Sequence, residues 1–154
     1  MKRILEMFVR IELLAGQIYT EFAASDKSDD ELKKIWLKMA RDEQDHANAL
    51  KLALRLPSDE FMPYVHKDCP DPEASIRTLS TILGRAKTHS DTKVQMLADA
   101  VMIEKTFRVV HATYSLSFKG QSLQQTFARL SRSDEEHVAE LKKYIEHYKQ
   151  EHKK

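Results

Sequence analysis

All four prolines of this 154-residue chain lie between positions 57 and 72, and it has only three glycines. Proline and glycine are the residues that end helices and shape turns. Their confinement leaves a long stretch on each side with little to interrupt a helix. Hydrophobic residues make up 42% of the chain and charged residues 32%. That mix fits long amphipathic helices better than a β fold. A chain of this length can bury a full core as one domain.

Apolar spacing assigns the helices. Ile4, Phe8, Ile11, Ala15, Ile18 and Phe22 recur with a period near 3.6, which predicts a first helix over 2–25. The segment 25–29 breaks it. Ser28 with Glu31 has the form of a capping box, so a second helix is expected from there to about Arg55, ended by Pro57. Asp71, Pro72 and Glu73 supply a cap, a first-turn proline and an acid, and predict a short helix over 73–89. Ser90 or Asp91 would cap a third long helix ending near Phe118, with Gly120 past its end. Ser122 with Gln125 would cap a fourth, running to about residue 150. A 26-residue helix spans about 39 Å, and the connection of about 35 residues between the second and third long helices can travel that far. The expected fold is all-α: a four-helix bundle of two helical hairpins joined by a long crossover that carries a short extra helix.

The two hairpins repeat one chemical pattern. Glu43 and His46 stand three residues apart in the second helix, and Asp134 and His137 do so in the fourth. Residues at i and i+3 share a helix face. Each pair has an upstream acid in the preceding helix, Glu12 for the first and Glu104 for the second, at gaps of 31 and 30 residues. All six fall on or beside the apolar stripes, so all six are expected to face the core. Buried carboxylates cost several kcal/mol each unless compensated. No Lys or Arg stands at the facing stripe positions, so the arrangement calls for a cation. Carboxylate and imidazole without thiolate suit iron or manganese, with zinc also possible.

Two further residues repeat the spacing. Tyr19 lies seven residues after Glu12, placed either to donate a hydrogen bond to a ligand carboxylate or to pack in the core. His111 holds the same place after Glu104, as a supporting residue, a seventh ligand or a satisfied core histidine. Trp36 and the six methionines fit the core, and the Lys-rich C-terminus with His147 and His152 fits a solvated helix end.

On these residues the chain resembles the ferritin-like di-iron carboxylate superfamily, and within it the rubrerythrin type. The resemblance implies a ferritin-like bundle with two iron ions. Glu12 and Glu104 would be terminal ligands, His46 and His137 would serve one ion each, and Glu43 and Asp134 would bridge. It implies an oxidoreductase that reduces peroxide or dioxygen or oxidises Fe(II), and a homodimer. Three features depart from the pattern. Asp134 stands where the family has Glu and is one methylene shorter, with Glu135 about 100° away around the helix. Val101 and Phe107 flank Glu104 where rubrerythrins proper carry an additional carboxylate. There is no rubredoxin-like tail with paired cysteines, so electrons would come from an external donor protein. Iron sequestration or delivery without turnover, and a structural bundle with a degenerate site, are the competing readings.

Other classes are disfavoured. A net charge of +1 leaves no dominant basic face for nucleic acid. The single cysteine, Cys69, forms no internal disulfide, four-thiolate site or CxxC pair. Glu6, Arg10 and Glu12 interrupt the apolar N-terminus, making it a poor signal peptide. No stretch approaches ~18 apolar residues, so no membrane span is expected. A cytoplasmic location is the expectation.

Overall fold

The computed structural model describes residues 2–61 and 69–153. The middle of the proline-rich connection, 62–68, lies outside the described residues. The elements are α1 (Lys2–Ala24), α2 (Asp30–Ala53), a 3-10 turn (Ser58–Phe61), α3 (Pro72–Ala86), α4 (Lys93–Ser115) and α5 (Gln121–Glu151). No strand occurs among the described residues. Nor is any helix there long and apolar enough to cross a membrane.

α1 packs along α2, and α4 along α5, giving two hairpins that meet chiefly through α2 and α5. The helix of the crossover, α3, lies on the outside of α1 and runs parallel to it. Its N-terminal end is marked by Arg3, 3.7 Å from Glu73. Beyond its C-terminal end, His89 Nε2 lies 2.8 Å from Glu21. The crossover thus returns the chain along the bundle before α4 begins, as its length predicts. Buried side chains from all five helices, including Phe8, Tyr19, Trp36, Leu83, Phe107 and Phe127, form one apolar cluster.

Three helix starts differ from the sequence expectation. α2 is capped by Asp29, whose carboxylate accepts from the Leu32 amide at 2.9 Å. Ser28 is buried instead. It donates to the Phe22 carbonyl and accepts from the Trp36 indole, tying the α1–α2 turn to the core. α4 is capped by Thr92 in a reciprocal box with Gln95, not by Ser90 or Asp91. Asp91 is drawn away by Arg85, whose Nε donates to it at 2.9 Å. α5 starts two residues earlier than a Ser122 cap would place it, with Gly120 at its cap and no side-chain cap bond. There the 3-10 turn sits on the backbone: the Gly120 amide donates to the Glu60 carbonyl at 3.3 Å. A Cβ at position 120 would stand 2.7 Å from the Glu60 Cα, so glycine is required by close approach. α3 and α4 also end earlier than expected, at Ala86 and Ser115. His89 leaves helical geometry with φ 52°.

Candidate metal centre

The α1 stripe carries Glu12 and Tyr19 inward, α2 carries Glu43 and His46, α4 carries Glu104 and His111, and α5 carries Asp134 and His137. The four carboxylate side chains and His111 are fully buried, and His137 nearly so. His46 keeps 11% of its side chain exposed. All six residues of the repeated pattern come together at one level of the bundle. Glu12, Glu43 and His46 present one set of potential ligand atoms within 4.8 Å of one another. Glu43, Glu104, Asp134 and His137 present a second.

Glu43 belongs to both sets. Its Oε2 lies 3.0 Å from His46 Nδ1, and its Oε1 lies 3.4 Å from His137 Nδ1. Glu12 Oε2 stands 3.4 Å from His46 Nδ1, and Glu104 Oε2 stands 3.0 Å from His137 Nδ1. Asp134 belongs to the second set alone. Its Oδ2 is 2.6 Å from His111 Nδ1. The other nitrogen of that ring, Nε2, lies 2.9 Å from Glu12 Oε1, without hydrogen-bond geometry. The His111 ring therefore fills the space between the short Asp134 carboxylate and the carboxylate of the opposite hairpin. Glu135 is not a substitute for Asp134: its side chain is 68% exposed.

The supporting contacts cross between hairpins, and they do so symmetrically. Tyr19 of the first hairpin donates to Glu104 of the second, and His111 of the second faces Glu12 of the first. Asp42, just before Glu43, accepts from or donates to His137 Nε2 at 3.0 Å according to protonation. Ser133, just before Asp134, stands 3.0 Å from His46 Nε2. Each histidine thus turns Nδ1 to the carboxylate cluster and has its far nitrogen held by the opposite helix, which fixes ring orientation. Asp42 and Ser133 are additions to the residues expected from sequence. Each precedes its own helix's histidine by four residues, a spacing that shares the face. Tyr19 also stacks on Trp36 with ring centroids 5.8 Å apart.

The electrostatics of the cluster demand positive charge. Burial pushes the pKa of the three imidazoles down, but the surrounding carboxylates outweigh it. His46 is held up at about 11 by Glu12 and Glu43, and His111 at about 10 by Asp134 and Glu12. His137 is held at about 12 by Asp42, Glu104 and Glu43. Among the acids, burial and the Glu12 charge raise Glu43, and burial and the Glu43 charge raise Glu104. Burial also raises Asp134, in spite of His111. Glu12 moves the other way: its contacts with His111 and His46 overcome burial and bring it to about 2. Imidazolium protons thus take the role of the counter-charge the carboxylates require.

The residues fit a metal pair. Glu12 Oε1, Glu43 Oε1 and Asp134 Oδ1 are buried without a hydrogen-bond partner among the described residues. Such atoms are costly in a folded core unless a ligand meets them. The donors are carboxylate and imidazole with no thiolate, the chemistry of iron and manganese sites, with zinc compatible.

Residues 3–68 match the rubrerythrin family model. The matched segment contains Glu12, Tyr19, Glu43 and His46, the first half of the cluster. The rubrerythrin match and the all-helical packing agree with the ferritin-like bundle expected from the sequence. No curated protein and no solved structure matches the chain.

Proposed function

We propose that the cluster holds two iron ions and that the protein is an oxidoreductase that reduces peroxide or dioxygen there. The observation that carries this reading is Glu43, whose two oxygens face two different histidines. A carboxylate so placed suits bridging two cations about 3.5–4 Å apart. The rubrerythrin match supports iron as the metal. Glu12, Glu43 and His46 would hold one ion, and Glu43, Glu104, Asp134 and His137 the other. Manganese or zinc would meet the same donors. Two ferrous ions supply the two electrons that reduction of an O–O bond consumes.

The chain's own residues prepare that chemistry. Asp42 and Ser133 orient the two imidazoles, and Tyr19 keeps Glu104 turned inward. Phe8, Phe107 and Phe127 surround His111 with ring centroids 5.7–6.0 Å away and keep water from that side. Metal binding displaces protons from His46 and His137, since a ligating imidazole nitrogen is deprotonated. Oxidation of Fe(II) as a substrate would use the same ligands. An external protein donor would restore the reduced state. A homodimer would cover part of the apolar surface of α4, where Val94 is 65% and Val109 54% exposed.

Anaerobic titration with Fe(II) tests the reading. It predicts two ions per chain, a ferric absorbance on adding peroxide, and loss of both ions in Glu43→Ala. One ion or none in the wild-type protein, or two in Glu43→Ala, contradicts it.

A further inference from the structure

The two halves of the cluster follow one plan but are not backed alike. Positions 42 and 133 are equivalent in the repeat, 91 residues apart. Each faces the far nitrogen of the opposite hairpin's histidine. Asp42 puts a carboxylate behind His137, and Ser133 puts a neutral hydroxyl behind His46. We propose that the two metal positions are unequal: the His137 side retains its ion, the His46 side exchanges its ion with solution, and filling the His46 side switches the centre on. The inference rests on the reading of the cluster as a two-metal oxidoreductase centre. It deepens that reading by naming what regulates the site, the supply of a divalent metal ion.

The backing of the imidazoles is the first observation behind it. Nδ1 of each ring faces the carboxylates, so an imidazole that ligates there keeps its hydrogen on Nε2. At His137 that nitrogen lies 3.0 Å from Asp42 Oδ2. A carboxylate in this place makes the ring a more basic ligand and locks its orientation, and loss of such a partner costs about 10–100-fold in metal affinity. Asp42 is itself anchored, since Lys38 Nζ donates to it at 3.3 Å. At His46 the same nitrogen meets the Ser133 hydroxyl at 3.0 Å. A hydroxyl orients the ring but adds no charge.

The ligand sets differ in the same direction. Glu43, Glu104 and Asp134 gather with His137, whereas only Glu12 and Glu43 gather with His46. Affinity for a divalent cation rises with the charge and rigidity of its ligands. Tyr19 adds rigidity on the His137 side by donating to Glu104. His111 contacts a carboxylate of each set, Glu12 and Asp134, and so does not separate them. Exposure is the third observation: the His46 side chain is 11% exposed and that of His137 1%. The set with fewer charges is therefore also the one an ion can leave and re-enter. The switch follows from electron count. Hydrogen peroxide takes two electrons and two protons to give two waters, and each Fe(II) supplies one electron in passing to Fe(III). A chain filled on the His137 side alone holds half of what the reaction consumes.

The test is a titration of the metal-free chain with Mn(II), followed by electron paramagnetic resonance, which needs no turnover. In wild type the first equivalent should give the signal of an isolated bound Mn(II), and the second should convert it to that of an exchange-coupled pair. The two dissociation constants should differ by at least about tenfold. Asp42→Asn should weaken the first step about 10–100-fold. His46→Ala should lose the second ion and keep the first at wild-type affinity. Ser133→Asp, at the partly exposed edge, should tighten the second step. With Fe(II), ferric absorbance on adding peroxide should begin only past the first equivalent. A coupled signal from the first additions, equal dissociation constants, or loss of the tight step in His46→Ala overturns the inference; so does ferric absorbance proportional to iron from the start. The wild-type titration decides even if circular dichroism shows a variant unfolded. Failure of the two-metal reading is distinct: it shows as fewer than two ions bound by wild type at saturation.

Discussion

Asp134 is one methylene shorter than a glutamate, and the ring of His111 occupies the space this leaves. Without metal, that ring is the counter-charge for two fully buried carboxylates. His111→Leu should therefore destabilise the metal-free protein by about 3–5 kcal/mol, the usual cost of stranding a buried charge, read from urea denaturation. Mn(II) or Fe(II) should recover part of this loss; a variant as stable as wild type without metal would contradict the assignment. Tyr19→Phe removes the only donor to Glu104 Oε1 among the described residues and should cost about 1–3 kcal/mol. The six residues of the repeated pattern were legible because i, i+3 spacing and the apolar stripe both fix a helix face. Tyr19 and His111 were visible as repeats, but spacing alone left their partners open. Asp42 and Ser133 were not visible, because each serves a histidine of the opposite hairpin. Within-helix spacing does not say what faces it across a bundle.

At the scale of the helices, the caps and glycines carry separate predictions. Burial raises the Asp29 carboxyl, but bonds from Lys93, Tyr144 and the Leu32 amide overcome it and hold the pKa at about 2. A carboxyl depressed below its unfolded value near 3.9 adds stability above that value. The contribution is lost as pH falls from about 4 towards 2. Asp29→Asn retains a cap acceptor but no charge. It should be less stable than wild type at neutral pH and equal to it near pH 2, by denaturation at each pH; a constant difference would contradict this. Gly16→Ala should stabilise the metal-free fold by about 0.5–1 kcal/mol through helix propensity. Gly120→Ala should destabilise it by about 1–3 kcal/mol, since the added Cβ meets backbone. Opposite signs in thermal melts are the check. The helix lengths were legible to within a few residues, but three N-terminal caps were not. Ser28, Asp91 and Gly120 are each held by a tertiary contact, with the core, Arg85 and Glu60 respectively. Tertiary contacts outrank local capping signals.

The whole molecule gains its symmetry from the repeat. Glu12 and Glu104 stand 92 residues apart, as do Tyr19 and His111, while Glu43 to Asp134 and His46 to His137 are 91. The family match ends at residue 68, whereas the cluster takes half its residues from the second hairpin. Neither hairpin carries the cluster alone, so ion binding should stabilise both together. A ligand at 100 times its Kd adds about 2.7 kcal/mol, and a single melting transition should move up with Mn(II). Two transitions, only one of which shifts, would contradict a shared site. The central claim is that one carboxylate, Glu43, joins two metal ions. Anomalous diffraction from crystals loaded with Mn(II) tests it most directly. The account predicts two peaks about 3.5–4 Å apart, each in contact with a different oxygen of Glu43. A single peak, or two peaks that leave Glu43 untouched, would contradict it.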